Sequence, residues 1–205
     1  LEEIIFPETC NVRKLSPIAY RYNDGISTTW FYQGLFNGCT SLETVVLPKS
    51  LRKIEQYAFQ GAQFRGVVFP EGLATIEADW LFDGCSRLEE VSLPTMITEF
   101  APGMFRGCKS IRKINTAASI TRYGDYCFDG ANSEFLNLDP NIEYGIDVFA
   151  NMDGESLTIP DDFTVIPQGM FSGWWNLKHL DLGKVQEIGG RAFEGSAFTT
   201  LPISR

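Results

Sequence analysis

One phenylalanine returns along this chain at a nearly constant interval, and no other feature restricts the possible folds as strongly. Phe36, Phe59, Phe82, Phe105, Phe128, Phe149, Phe171 and Phe193 are separated by 23, 23, 23, 23, 21, 22 and 22 residues, and they are half of the 16 phenylalanines. Self-similarity at such a period marks a stacked-repeat protein, because a unit this short cannot bury its own apolar face and must lean on its neighbours. The expected body is a single solenoid domain over residues 1–205, with eight or nine rungs of about 22 residues each.

The residues around each anchor repeat with it. Two positions after each Phe stand Gly38, Gly61, Gly84, Gly107, Gly130, Asn151, Gly173 and Gly195. Asn is the non-glycine residue that best tolerates positive φ, so this slot is expected to be left-handed and to end a short helical turn. Eight or nine residues after the anchor comes an alternating apolar pair: Val45 and Leu47, Val67 and Phe69, Val91 and Leu93, Leu136 and Leu138, Leu157 and Ile159, Leu180 and Leu182. Alternation of this kind reads as a strand with one buried face. Pro7, Pro48, Pro70, Pro94 and Pro160 follow such pairs, and a residue without an N–H stops the inter-strand ladder, so the strands should be about three to five residues long. A second apolar ladder, typified by Leu51 and Ile54, Leu73 and Ile76, and Phe163 and Ile166, leads back to the next anchor. Stacking at about 4.8 Å per rung would place Phe on Phe and Ile on Ile, and nine strands from Ile4 to Leu201 would make a body roughly 40 Å long.

The string Phe82-Asp83-Gly84-Cys85-Ser86-Arg87-Leu88-Glu89-Glu90-Val91-Ser92-Leu93-Pro94 resembles the BspA-like (Treponema-type) leucine-rich repeat, and the resemblance runs over nearly the whole chain. It implies a leucine-rich-repeat right-handed β/α solenoid. Short parallel strands would line the concave face, with short helical turns or second short strands on the convex side. It further implies a bacterial protein that is secreted or exposed at the cell surface, in a family linked to adhesion to host proteins or to other cells. The chain departs from the pattern at Thr116, Ala117 and Ala118 in place of Leu-Pro, at Gly183 in place of Pro, and at Trp174 and Trp175, where other units carry Cys or Ala.

Composition narrows the function classes. The net charge of −9 argues against nucleic acid, whose phosphates require clustered Lys and Arg. No stretch approaches the roughly 20 apolar residues of a membrane span. The acidic start, Leu1-Glu2-Glu3-Ile4, reads as a mature or excised chain, so secretion is not decided there. Both ends fall on a strand of the repeat, which suggests a longer parent protein or end-to-end association. With one His, no C-x-x-C pair and no nucleophile motif, neither a metal site, a cofactor nor a catalytic centre is expected, and the chain is read as non-enzymatic.

Cys39, Cys85 and Cys108 share the slot three residues after the anchor, where Ala62 and Ala131 also stand, so buried free thiols are expected. A Cys85–Cys108 disulfide would have poor geometry, since the side-chain vectors are parallel. Cys10 and Cys127 have no assigned place. His179 reads as a solvated residue beside Lys178 and Asp181.

Two surfaces are candidates for binding. The residues flanking the buried strand positions, Glu43, Arg65, Glu89, Glu90, Arg112, Lys113, Lys178 and His179, alternate in charge over much of their length and would lie on the concave face. Cross-strand attraction explains part of that pattern, and recognition of a protein partner is compatible with it. The second candidate is the one break in the period: Pro7 to Phe36 takes 29 residues where Pro48 to Phe59 takes 11. This insertion, at about 16–33, holds Tyr20, Tyr22, Trp30, Phe31 and Tyr32. Such aromatics anchor protein interfaces, and they also serve as the cap that a terminal repeat requires. The chain is therefore expected either to bind a host or bacterial surface protein or to act as a structural spacer.

Overall fold

The computed structural model describes residues 3–5, 14, 15, 18–23 and 28–197 except 38, 40, 117, 118 and 137. Pro7, Cys10, Ser16, Gly38, Ala117, Ala118, Leu201 and the two chain ends therefore lie outside the described residues. Within them the chain coils into stacked rungs, most of them built from two short strands and a corner that carries the anchor Phe.

The first strands pair in parallel and in register. Glu3–Ile5, Thr44–Val46 and Gly66–Val68 form one sheet, with Ile4 beside Val45 and Val45 beside Val67. Glu90–Ser92 pairs with Lys113–Asn115, and Ser156–Thr158 with His179–Asp181. The middle residue of most of these strands points into the coil, as Val45, Val91 and Leu157 do, while its neighbours point out. That is the pleat expressed by the apolar pairs.

Second strands lie where the sequence allowed either helical turns or strands. Lys14–Leu15, Lys53–Ile54 and Thr75–Ile76 pair in parallel, followed by Arg122–Tyr123 with Glu143–Tyr144 and Val165–Ile166 with Glu187–Ile188. Among the described residues the helical content is a single 3-10 turn, Ser133–Phe135, so the helical half of the β/α expectation is not met. That turn also displaces an expected strand. The Phe128 to Phe149 unit is the shortest, at 21 residues. Asn132 caps the turn by accepting from the Glu134 N–H at 3.0 Å, and Leu136 and Leu138 pack on the core without entering a sheet.

The corners form a third hydrogen-bonded column. Tyr57, Phe59 and Gly61 donate their N–H groups to the carbonyls of Asp79, Leu81 and Asp83 one rung on, at 3.2, 3.2 and 2.7 Å. Trp80, Phe82 and Gly84 repeat this onto Pro102, Met104 and Arg106. Positive φ at Gly61, Gly84, Gly107, Gly130, Asn151, Gly173 and Gly195 agrees with the expected left-handed slot. A second positive-φ slot lies two residues before the anchor, at Tyr57, Trp80, Gly103, Tyr126, Asp147, Gly169 and Arg191. Non-glycine residues there cost about 1 kcal/mol or more each, offset by a corner in which alternate N–H groups all find a partner.

Inside the coil the anchors stack. Phe59, Phe82, Phe105 and Phe128 follow one another at 5.5 Å between ring centres, with planes within 11°. The slot three residues after the anchor reaches back to the preceding rung: the Cys85 thiol donates to the Phe59 carbonyl at 3.0 Å and the Cys108 thiol to the Phe82 carbonyl at 3.2 Å. Trp174 keeps the same contact, its indole Nε1 donating to the Phe149 carbonyl at 2.6 Å. Room for that larger ring comes from Gly154, where a Cβ would stand 2.7 Å from the ring. Cys85, Cys108 and Cys127 are buried free thiols, and burial raises each above its ordinary pKa, which keeps the sulfur protonated. Cys127 belongs to the buried slot just before the anchor, with Ala58, Leu81 and Met104. Cys39 departs from expectation and is exposed. Phe36 is the first anchor among the described residues, and none of these offers Cys39 the preceding-rung carbonyl that Cys85 and Cys108 reach.

Candidate interaction surfaces

The insertion is a β-hairpin. Ile18–Asn23 and Thr28–Gln33 pair antiparallel, with Tyr20 opposite Phe31, Ala19 opposite Tyr32 and Arg21 opposite Trp30. The hairpin is a two-stranded sheet of its own and extends neither ladder of the coil. Its place in the rung is fixed on both sides. Leu15 pairs with Ile54, so the first rung has already made its second strand. Gly34 then occupies the corner slot two residues before Phe36, pressed so closely on the next rung that a Cβ would stand 2.3 Å from the Gln60 carbonyl oxygen. The extra chain leaves at the joint between second strand and corner.

That joint has a second irregularity. Two residues separate the buried strand position from the left-handed slot at Ile54 to Tyr57, at Phe100 to Gly103 and at Tyr123 to Tyr126, but three separate Ile76 from Trp80. The second ladder stops there: the sheet ends at Thr75–Ile76, and pairing resumes one rung later with Phe100 beside Tyr123. A cleft of about 650 Å³ opens at this break, lined by Ile76, Ala78, Asp79, Met96, Ile97 and Glu99 among others. Partial burial, with the charges of Glu99 and Glu77 nearby, holds the Asp79 carboxyl above its ordinary pKa.

Directly along the coil from the hairpin, the same corner slot carries an aromatic column. Tyr57 stacks on Trp80 at 6.3 Å and 5°, and Trp80 on Tyr126 at 6.3 Å and 24°. The rung between contributes Gly103, whose absent side chain admits the indole: a Cβ there would lie 2.1 Å from Trp80 Cε3. Arg106 lies over Trp80 at 5.0 Å and binds the buried Asp83 carboxylate at 2.8 Å, while Gln60 donates to the same carboxylate at 2.9 Å. Sequence reasoning missed this surface. Its signal was an aromatic two residues before the anchor in three of four consecutive units.

The charged residues expected on the concave face line the outside of the first ladder, and many are tied across rungs. Arg65 bridges Glu43, at 2.7 Å, and Glu89. Arg87 reaches Glu43 at 2.8 Å, Lys113 reaches Glu90 at 2.9 Å, and Lys178 reaches Glu155 at 3.1 Å. Asn115 adds a hydrogen bond to Glu90 at 2.8 Å, and these partners hold the Glu90 carboxyl below its ordinary range. Arg112 and His179 are exposed, with His179 beside Ser156. Exposed pairs of this kind contribute about 0–1 kcal/mol each, so they set register more than stability.

The sequence over residues 29–145 and 137–205 matches the model of the BspA type leucine rich repeat region, in 6 copies. The chain belongs to the BspA-type leucine-rich repeat family. Among solved structures this BspA-type coil is similar to a leucine-rich repeat protein from Bacteroides ovatus, with 20% identity and a TM-score of 0.52 over 78% of this chain and 54% of that one. It is also similar to a leucine-rich repeat protein of T. pallidum, with 21% identity and a TM-score of 0.42 over 92% of this chain and 73% of that one. A leucine rich cell surface protein from Faecalibacterium prausnitzii has 18% identity and a TM-score of 0.46 over 76% of this chain and 56% of its own. The chain thus spans about half the length of the B. ovatus and F. prausnitzii proteins. No curated protein matches the sequence. Among the described residues no helix is long and apolar enough to cross a membrane, and no group of three or more His, Cys, Asp or Glu residues is placed to hold a metal ion.

Proposed function

We propose that this BspA-type coil is a non-enzymatic protein-binding module of a bacterial secreted or cell-surface protein. Its contact surface is the 18–33 hairpin, continued along the coil by Tyr57, Trp80 and Tyr126. The observation that carries this reading is the position of the hairpin. It pairs with neither ladder of the coil, and it leaves the rung at the corner where the aromatic column begins. Tyr and Trp are the residues that most often supply the energy of protein interfaces. The ion-paired outer face of the first ladder is the weaker candidate, since many of its charges already have partners within the coil. Family membership supports a surface location and adhesion to host or bacterial surface proteins.

The test compares native chain with the Trp30→Ala, Tyr32→Ala double variant in capture of bacterial and host surface proteins, followed by titration of whatever is captured. Saturable binding by native chain, lost in the variant at an unchanged melting temperature, supports the module. Binding unchanged by the substitutions refutes the hairpin's role. No saturable partner for native chain leaves the coil as a spacer that holds another domain away from the cell.

A further inference from the structure

Trp174 and Trp175 stand side by side in the sequence and meet opposite fates: Trp174 is 1% exposed in the core and Trp175 is 60% exposed. Trp175 is the fourth residue after its anchor, and the same position in the three preceding rungs is held by Lys109, Asn132 and Asp153. Stacking gathers these four along one groove of about 420 Å³, joined by Ser133 and Asn151. Gly130 and Ala131 contribute little side chain to its lining, which leaves the space. The volume falls within the range of about 300–1,000 Å³ usual for small-ligand sites.

We propose that this groove binds an uncharged pyranose. A sugar ring has a C–H face that packs on an aromatic plane, and hydroxyls that donate and accept together, so it needs one exposed ring among amides and carboxylates. The groove supplies that set. Its polar groups are held in place by bonds at one end: Asp153 Oδ1 accepts from Asn176 at 2.5 Å, Asn132 Oδ1 accepts from the Glu134 N–H at 3.0 Å, and Asn151 Nδ2 donates to Asp129 at 2.7 Å. Among the described residues no hydrogen bond uses the other ends of the first two, Asp153 Oδ2 and Asn132 Nδ2, while Asn151 Oδ1 lies against Gly173. Trp175 is held by its own N–H, which donates to the Gly173 carbonyl at 2.9 Å. One Lys against one Asp leaves the groove without net charge, which favours a neutral sugar over an anionic one. The density of polar groups favours a sugar over an apolar peptide, which would leave them unpaired.

The experiment titrates methyl glucoside, galactoside and mannoside in one arm and N-acetylglucosamine and N-acetylgalactosamine in the other. Ligand-observed NMR and tryptophan fluorescence follow native chain and the Trp175→Ala, Trp175→Phe and Asp153→Ala variants. The expected result is saturable binding in at least one arm, weakened about two- to tenfold by Trp175→Ala and less by Trp175→Phe, because one stacking aromatic is worth about that factor. Asp153→Ala should weaken binding without quenching the Trp175 signal. The arm that binds tells a neutral hexose from an N-acetylhexosamine. The proposal is overturned if no pyranoside gives a saturable signal up to its solubility limit, or if Trp175→Ala binds as tightly as native chain at an unchanged melting temperature. Binding by a protein partner that needs Trp175 while no pyranoside binds would overturn it too.

Discussion

Truncating the central anchor, Phe105→Ala, should cost far more than truncating the last one, Phe193→Ala, although both remove the same ring from the same slot. Phe105 is fully buried, stacks on Phe82 and Phe128 at 5.5 Å on either side, and meets the edge of Phe100 at 5.5 Å and 84°. A buried Phe→Ala change costs about 3–5 kcal/mol, transfer and cavity terms together. Three ring partners place this site at the upper end, since each aromatic pair adds about 0.5–1.5 kcal/mol beyond burial. Phe193 is only partly buried and stacks on Phe171 at 5.6 Å near the last described rung. A partly open site relaxes around the loss, so about 2 kcal/mol is expected there. Urea unfolding followed by circular dichroism and fluorescence measures both. The expected signature is a midpoint shift for Phe105→Ala at least twice that for Phe193→Ala. Equal shifts, or a cost below about 1 kcal/mol at Phe105, would refute the claim that anchors draw their stability from the rungs on both sides.

Two further outcomes follow from the thiols and phenols. In a Cys10→Ser background an aromatic disulfide reagent should label one thiol per native chain, Cys39, while Cys85, Cys108 and Cys127 react only after denaturant is added; rapid labelling of all four would contradict their burial. Burial pushes the Tyr144 phenol up to about 12 and Tyr123 up as well. A raised acid is protonated in the folded state at pH values where the unfolded chain has already lost the proton, so stability is intact below about pH 10 and falls as pH rises towards 12. Melting temperatures across that window should fall less steeply for a Tyr144→Phe variant, and an unchanged slope would remove Tyr144 as a cause.

Most of the coil was legible because its cause is periodic. The anchor spacing, the alternating pairs and the Asn in a glycine slot each report a packing or backbone demand that recurs at every rung. What escaped was either compensated in the count or degenerate in residue type. The extra residue near Ala78 left no trace in the anchor spacing, since Phe59 to Phe82 and Phe82 to Phe105 are both 23; only Pro70 to Phe82, at 12 against 11 for Pro48 to Phe59, records it. The left-handed slot before the anchor was hidden because stacking and hydrogen bonds hold Tyr57, Trp80 and Tyr126 where glycine would be expected. Cys39 was misplaced because a slot rule presumes a preceding rung. The hairpin was legible as an insertion, but the antiparallel pairing of its two halves was not. Trp175 was noted only as a departure from pattern, since exposure is a property of the folded coil.

The break in the second ladder after Ile76 also bears on how the molecule comes apart. A stacked coil holds together through the interfaces between neighbouring rungs, and its cooperativity is the sum of those couplings. At this interface the corner column still joins the rungs, while the first strands, Gly66–Val68 and Glu90–Ser92, share only the Glu89 N–H to Arg65 carbonyl bond and the second strands do not pair. A weak coupling therefore lies off centre, between the rungs of Phe82 and Phe105. It divides the coil into two blocks that can open separately, and hydrogen exchange would see the block carrying the hairpin and the block carrying Trp175 as distinct folding units.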